Sequence, residues 1–222
     1  MSSSAQLTLL PYLAGWDPEA DRTTFAASLH AGSAIGIALA LRHDLDSGTT
    51  KGTLAFAAPA AVAGLLFHRQ VERRLGGNAS TAGLLAAAGA AMWAADSRPS
   101  TEPLSPSASN AAALAQVAAL APGVSRSGAT LTALRWKKVR REDALRFALH
   151  SSLPITVGAA AITAVRARRL PPAAPTAAAA ISAYATARAT KGGSQRLIRA
   201  AAIYRLAVAA LVAVRIRREK QQ

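Results

Sequence analysis

FAASLHAGSAIGIALAL (Phe25–Leu41) and FALHSSLPITVGAAAITAV (Phe147–Val165) carry no formal charge in any helical register. A helix packed on one side of a water-soluble core needs a charged stripe on its opposite side. These two have none, so they predict helices solvated by lipid. Outward from them the pattern repeats: uncharged blocks run over Thr53–Phe67, Ser80–Ala95, Asn110–Ala121, Leu170–Ala187 and Ala200–Val214, the last broken only by Arg205. Cations fill the gaps, among them Arg69, Arg73 and Arg74, then Arg135 to Arg146, Arg166 to Arg169, and Arg215 to Lys220. Apolar blocks bracketed by long cationic side chains read as membrane helices with snorkelling ends. Several blocks fall short of the ~20 residues that cross ~30 Å of hydrocarbon, and much of their apolar content is alanine, which lipid favours only weakly. A soluble alanine-rich bundle is therefore the alternative, since alanine forms helix equally well there. Gly32 and Gly36, four apart, predict a close helix–helix approach.

Composition narrows the classes. The 222 residues are 51% hydrophobic and 17% charged, with formal net charge +15 and no cysteine. Disulfide frameworks, thiolate nucleophiles and cysteine-ligated metals are thereby excluded, and disorder is excluded by the apolar fraction. The cationic excess points to an anionic partner, either nucleic acid, phospholipid headgroups or a phosphorylated substrate. Cations placed between apolar blocks, rather than along one polar face, argue against nucleic acid. The expectation is an all-α polytopic membrane protein of about six spanning helices, forming a single domain over 1–222. The N-terminus lacks the basic n-region of a signal peptide. Pro/Ser-rich DSRPSTEPLSPSASN (Asp96–Asn110) reads as the linker between halves at about 1–95 and 111–222. Cations flank nearly every block, so orientation stays unassigned. Glu72, Asp96, Glu102, Glu142 and Asp143 are all expected in connections. His43 and His68 are expected at helix ends.

The halves share features. SSSAQLT (Ser2–Thr8) and SRSGATL (Ser125–Leu131) both carry Ser-x-Ser followed by small and polar residues, 123 positions apart, and Phe25 and Phe147 open apolar blocks at nearly the same offset. Internal duplication in a membrane protein places its site at the repeat interface, on broken helices. The sharpest motif is APGVSRSGAT (Ala121–Thr130). Pro122 and Gly123 break an incoming helix, hydroxyls come after them at Ser125, Ser127 and Thr130, and a new helix starts toward Leu134. Free N–H groups, hydroxyls and the Arg126 guanidinium together match a phosphate oxyanion, and a charge at membrane depth marks function. The plainer alternative keeps Arg126 in an aqueous loop with Ser125 as an ordinary N-cap. The segment predicts a re-entrant turn around Asn110–Leu134, with Ser2–Thr8 approaching Ser125–Thr130.

PGVSRSGAT resembles the hallmark of the undecaprenyl-diphosphatase (bacitracin-resistance) family. SSSAQLTLLPYLAGW resembles its first motif, and GLLFHRQVERRL (Gly64–Leu75), LPITVGA (Leu153–Ala159) and AAIYRLAVA (Ala201–Ala209) fall in family order. The resemblance implies a multi-pass enzyme of the bacterial cell membrane, with two re-entrant segments in an inverted repeat. Its implied reaction hydrolyses undecaprenyl diphosphate to the monophosphate, recycling the lipid carrier of peptidoglycan synthesis. Its implied site residues are Ser125, Arg126 and Ser3 for catalysis, with Ser2, Ser4, Gln6, Ser127, Gly128, Thr130 and Arg205 binding the substrate phosphates. Mg²⁺ or Ca²⁺ is the implied cofactor, the polyprenyl diphosphate and membrane lipids the implied partners, and no nucleic acid is expected. Two departures stand out. Gln6 replaces the family's histidine and cannot serve as a general base, and the family's Glu-rich stretch would lie upstream of Met1, so no metal ligands are identifiable here. His30 and His150, inside apolar helices, are candidate bases beside the plainer reading of core histidines. A family member that binds or transports polyprenyl phosphates without hydrolysing them is the second reading.

Overall fold

The computed structural model describes residues 3–15, 22–44, 47–167, 170–190 and 192–221. Among these residues the chain is helical, with one isolated bridge between Glu102 and Val139. Its helices are α1 (Ser3–Ala14), α2 (Arg22–Leu41), α3 (Ser47–Leu75), α4 (Asn78–Asp96), α5 (Pro106–Ala115), a 3-10 segment (Gln116–Leu120), α6 (Arg126–Trp136), α7 (Arg141–Ala167), α8 (Ala173–Thr190) and α9 (Gln195–Glu219). The all-α architecture of a membrane protein is as the sequence predicts. Among the described residues three helices are long and apolar enough to cross a membrane by length and composition, over Thr24–Leu41, Arg141–Val165 and Gln195–Glu219. α4, at 19 residues, is of similar length to the shortest of them and carries Asn78 and Asp96 at its two ends.

Contacts fix the direction of each helix. α9 lies antiparallel to α4, with Arg199 stacked on Trp93, Ala202 against Gly89, and Val208 beside Leu85. Asp44, past the end of α2, pairs with Arg146 near the start of α7 at 3.4 Å. Gly193, in the turn before α9, packs on Glu142 in the first turn of α7. The ends of α2, α4 and α8 therefore share one end of the bundle, called here the Asp96 end, with the starts of α3, α7 and α9. α2 and α8 run parallel in close contact. A Cβ added at Gly32 would lie 2.3 Å from the Thr176 carbonyl oxygen, and one at Gly36 equally close to that of Ala180. The predicted close approach of these two glycines is what joins the helices.

The APGVSRSGAT segment forms the tip of a hairpin. α5 begins at the Asp96 end, where the preceding loop bonds to the α6–α7 connection through Glu102, Lys138 and Arg140. Ser105 caps α5, accepting from the Ala108 N–H, with Pro106 inside its first turn. The Pro/Ser-rich linker predicted over Asp96–Asn110 thus ends early, because an N-cap serine followed by proline starts a helix. At the tip Gly123 adopts φ +98° and packs against the Thr81 carbonyl and Leu85 N–H of α4. α6 then returns past Met92 to Asp96. Both arms open at the same end, and Gly123, Ser125 and Thr130 are buried inside the bundle. The helix–turn–helix predicted around Asn110–Leu134 is thus present as a hairpin with its tip inside the bundle.

Several acidic residues expected in connections lie in helices instead. Asp96 is not in a connection but is the last residue of α4, 0% exposed. It accepts from Arg141 at 2.7 Å and from Arg135 at 3.3 Å, and Arg135 also reaches the Val139, Arg98 and Pro99 carbonyls. Glu72 lies within α3, and Glu142 and Asp143 occupy the first turn of α7, where their charge complements the positive end of the helix dipole. His68 likewise sits within exposed α3 beside Glu72 at 3.3 Å, while His43 comes just after α2.

Candidate functional site

α6 begins inside the bundle, so its unpaired N–H groups face a buried space rather than water. Ser125 is the N-cap: its hydroxyl accepts from the Gly128 N–H at 3.2 Å and lies 3.2 Å from the Ser127 hydroxyl. Thr130 donates to the Arg126 carbonyl at 3.0 Å. The capping alternative for Ser125 is therefore realised, but within the bundle and not in an aqueous loop. Arg126, the first residue of α6, is partly buried, and His30 of α2 lies within reach of its charge.

Arg205 joins this helix start from across the bundle. It is 4% exposed, about ten residues into α9, and so roughly 15 Å from that helix's start. Its Nη2 sits 3.1 Å from where a Gly128 Cβ would lie, its Nη1 donates to the Ala201 carbonyl at 2.9 Å, and the Met92 sulfur is 3.6 Å away. Glycine at 89 admits the Arg205 stem, since a Cβ there would lie 3.1 Å from the Arg205 Cβ. Among the described residues neither Arg126 nor Arg205 pairs with a carboxylate. Arg126 opens α6 and Arg205 reaches Gly128 two residues further on, and guanidinium groups near a helix N-terminus are the chemistry that suits an anion.

α1 approaches from the opposite direction. Its C-terminal end joins the far end of α9, through Arg215 to the Leu13 carbonyl at 3.0 Å and Tyr12 to Glu219 at 2.6 Å. Its start lies deep: Gln6 donates to the Tyr204 hydroxyl at 3.3 Å and shares a small cleft with Arg205. At 12 and 11 residues, α1 and α6 are about 18 Å and about 17 Å long, a little over half of the ~30 Å hydrocarbon core. Both start near Arg205 and run to opposite ends. Gln6 and the Ser125–Thr130 segment thus meet on Arg205, as the sequence predicts for the two motifs. Ser2 lies outside the described residues, and of Ser3 and Ser4 only the helical backbone is described. His150 is buried on α7.

The BacA family, described as bacitracin resistance protein BacA, matches residues 1–211. This chain belongs to that family. It is similar to the undecaprenyl-diphosphatase of Geobacter metallireducens, 37% identical over 183 residues, covering 72% of this chain and 67% of that protein. The undecaprenyl-diphosphatase of Teredinibacter turnerae is 34% identical, covering 71% and 67%, and that of Thermotoga maritima 31%, covering 72% and 70%. The match across nearly the whole chain makes this BacA member an integral membrane protein. Sequence reasoning missed Met92, Gly89 and Tyr204. They are ordinary letters in apolar helices and gain meaning only from packing against Arg205 or Gln6. Tyr204 alone carried a signal, as the neighbour of a cation within an apolar block.

Proposed function

We propose that this chain is an undecaprenyl-diphosphatase of the bacterial cell membrane, converting undecaprenyl diphosphate and water to undecaprenyl phosphate and phosphate. The observation that carries the reading is the pair Arg126 and Arg205 at the buried start of α6, without carboxylate partners among the described residues. A diphosphate brings at least two negative charges, and cleavage loads further charge onto the leaving phosphate oxygen. Fixed cations and N–H groups aimed at that charge lower the barrier most in a water-poor site. Arg126 supplies a bidentate fork to the phosphates, and Ser125, Ser127, Gly128 and Thr130 shape the helix start that receives them. Ser2, Ser3 and Ser4 of the first motif add hydroxyls, with Ser3 taking part in catalysis. The α1 and α6 half-helices form matching parts of an inverted repeat, with halves at about 1–95 and 111–222, and the site lies at their interface. The names of the relatives, all undecaprenyl-diphosphatases, support the same substrate.

Mg²⁺ or Ca²⁺ belongs to the family expectation. Among the described residues no three His, Asp or Glu side chains converge to hold a metal ion. These residues therefore do not fit the ion by themselves, and no step here is routed through it. His30, within reach of the Arg126 charge, is the candidate to accept the attacking water's proton. Gln6 in place of histidine favours the second reading, a polyprenyl-phosphate binding or transport protein. Phosphate release from undecaprenyl diphosphate by the purified chain in nanodiscs, with and without Mg²⁺ or Ca²⁺, tests both. Release that Arg126→Ala abolishes supports the phosphatase, whereas tight lipid binding without release moves the chain to the second reading.

A further inference from the structure

Tyr204 precedes Arg205 on α9 and is half-buried in the bundle. Its hydroxyl oxygen accepts from the Gln6 amide N–H at 3.3 Å, a contact that joins the start of α1 to α9. A phenol whose oxygen is already accepting keeps its own proton to donate. Among the described residues, nothing accepts that proton. The cleft beside it has two kinds of wall. Gln6, Tyr204 and Arg205 make the polar one, and Leu10, Leu85 and Val208 make the apolar one. The cleft is small, and its mixed lining matches the chemistry of a charged headgroup joined directly to a hydrocarbon chain.

We propose that Tyr204, oriented by Gln6, donates a hydrogen bond to a phosphate oxygen of the bound prenyl diphosphate, while Leu10, Leu85 and Val208 receive the first carbons of its chain. The inference rests on the diphosphatase reading and adds a phosphate-binding residue to it. Gln6 acts through Tyr204 and is a positioning residue: its amide occupies the phenol oxygen and turns the proton toward Arg205's ligand. A purely structural Gln6–Tyr204 bond would tie α1 to α9 and affect stability alone.

The full chain in nanodiscs distinguishes these, with inorganic pyrophosphate and undecaprenyl diphosphate as probes. Tyr204→Phe removes only the hydroxyl and is expected to weaken pyrophosphate binding by about tenfold, the worth of one hydrogen bond to a charged group. Gln6→Leu should weaken it several-fold in the native background and have no further effect beside Tyr204→Phe, the coupling expected when one residue acts through the other. Leu10→Ser, at the exposed edge of the cleft, should weaken binding of the lipid but not of pyrophosphate. If Tyr204→Phe binds pyrophosphate like the native chain while Arg126→Ala does not, the proposal is overturned and the diphosphatase reading stands. Native-like binding by Arg126→Ala, or no binding by the native chain, overturns both. Variants that lower the unfolding temperature with affinity unchanged reduce the pair to a structural tie and sink the proposal.

Discussion

At Arg126 the charge and its geometry separate cleanly. Lysine keeps the charge and loses the planar fork, so Arg126→Lys should cost on the order of 1–3 kcal/mol in lipid-diphosphate binding. Arg126→Ala should cost more while leaving membrane insertion intact, because removing a buried charge favours lipid. Binding titrations on both variants check this, and equal affinities would place the phosphates elsewhere. Gly128 offers a subtler probe. A Cβ there would meet Arg205 Nη2 and the Ser125 Cβ at 3.1 Å and the Met92 Cε at 3.2 Å. Gly128→Ala should therefore lower diphosphate affinity by displacing Arg205, and cost on the order of 1–3 kcal/mol of stability against the Ser125 Cβ, which cannot swing away. A stability loss with affinity unchanged would mean that the glycine serves packing alone. The motif residues Ser125 to Thr130 are legible in the sequence because proline, glycine, hydroxyls and a lone arginine break an apolar run. Arg205's role at Gly128 is not, since 77 residues separate them and nothing local records the contact.

Among the elements, the parallel α2–α8 pair depends on bare backbone. At Gly36 an added Cβ would fall 2.3 Å from the Ala180 carbonyl oxygen, and backbone cannot yield as a side chain does. Gly36→Ala is expected to destabilise the protein by ~1–3 kcal/mol through overpacking. Gly83, with nothing within 4 Å of its Cβ position on α4, supplies the contrast: Gly83→Ala should be neutral or stabilising by up to ~1 kcal/mol through helix propensity. Thermal unfolding in detergent reads both, and similar shifts would contradict the close approach. The re-entrant hairpin is held differently, at its open end. Asp96 ties α4 to Arg135 closing α6 and to Arg141 opening α7. Removing one member of a buried ion pair costs ~3 kcal/mol or more, so Asp96→Asn should lower the unfolding temperature well below that of Gly83→Ala.

For the molecule as a whole, topology is set by which termini share an end. The hairpin arms open at the Asp96 end, while the α3–α4 turn and the end of α9 lie at the other. The absence of native cysteine makes the arrangement directly testable. Leu104→Cys and Lys137→Cys should react with an impermeant maleimide from the same side of a sealed vesicle, and Gln70→Cys and Lys220→Cys from the opposite side. Labelling of Leu104→Cys and Lys137→Cys from different sides would turn the hairpin into a single crossing. Cations crowd both ends, Arg140, Arg146 and Arg196 at one and Arg73, Arg74 and Arg218 at the other. That balance is why charge alone assigns no orientation.

The helical membrane class, the glycine approach of α2 and the re-entrant break were determined by the sequence itself. Each rests on local rules: a run without charge needs lipid, paired small residues let backbones approach, and Pro122–Gly123 cannot continue a helix. The Pro/Ser-rich stretch misled because composition marks a loop, whereas Ser105 and Pro106 mark a helix start only where the next turns of chain stay helical. Tertiary structure alone decided that Asp96 is a buried anchor, that Arg205 faces Gly128, and that Gln6 meets Tyr204, 198 residues away. Side chains distant along the chain meet only where crossing helices bring particular turns to one depth, and residue order does not encode that depth.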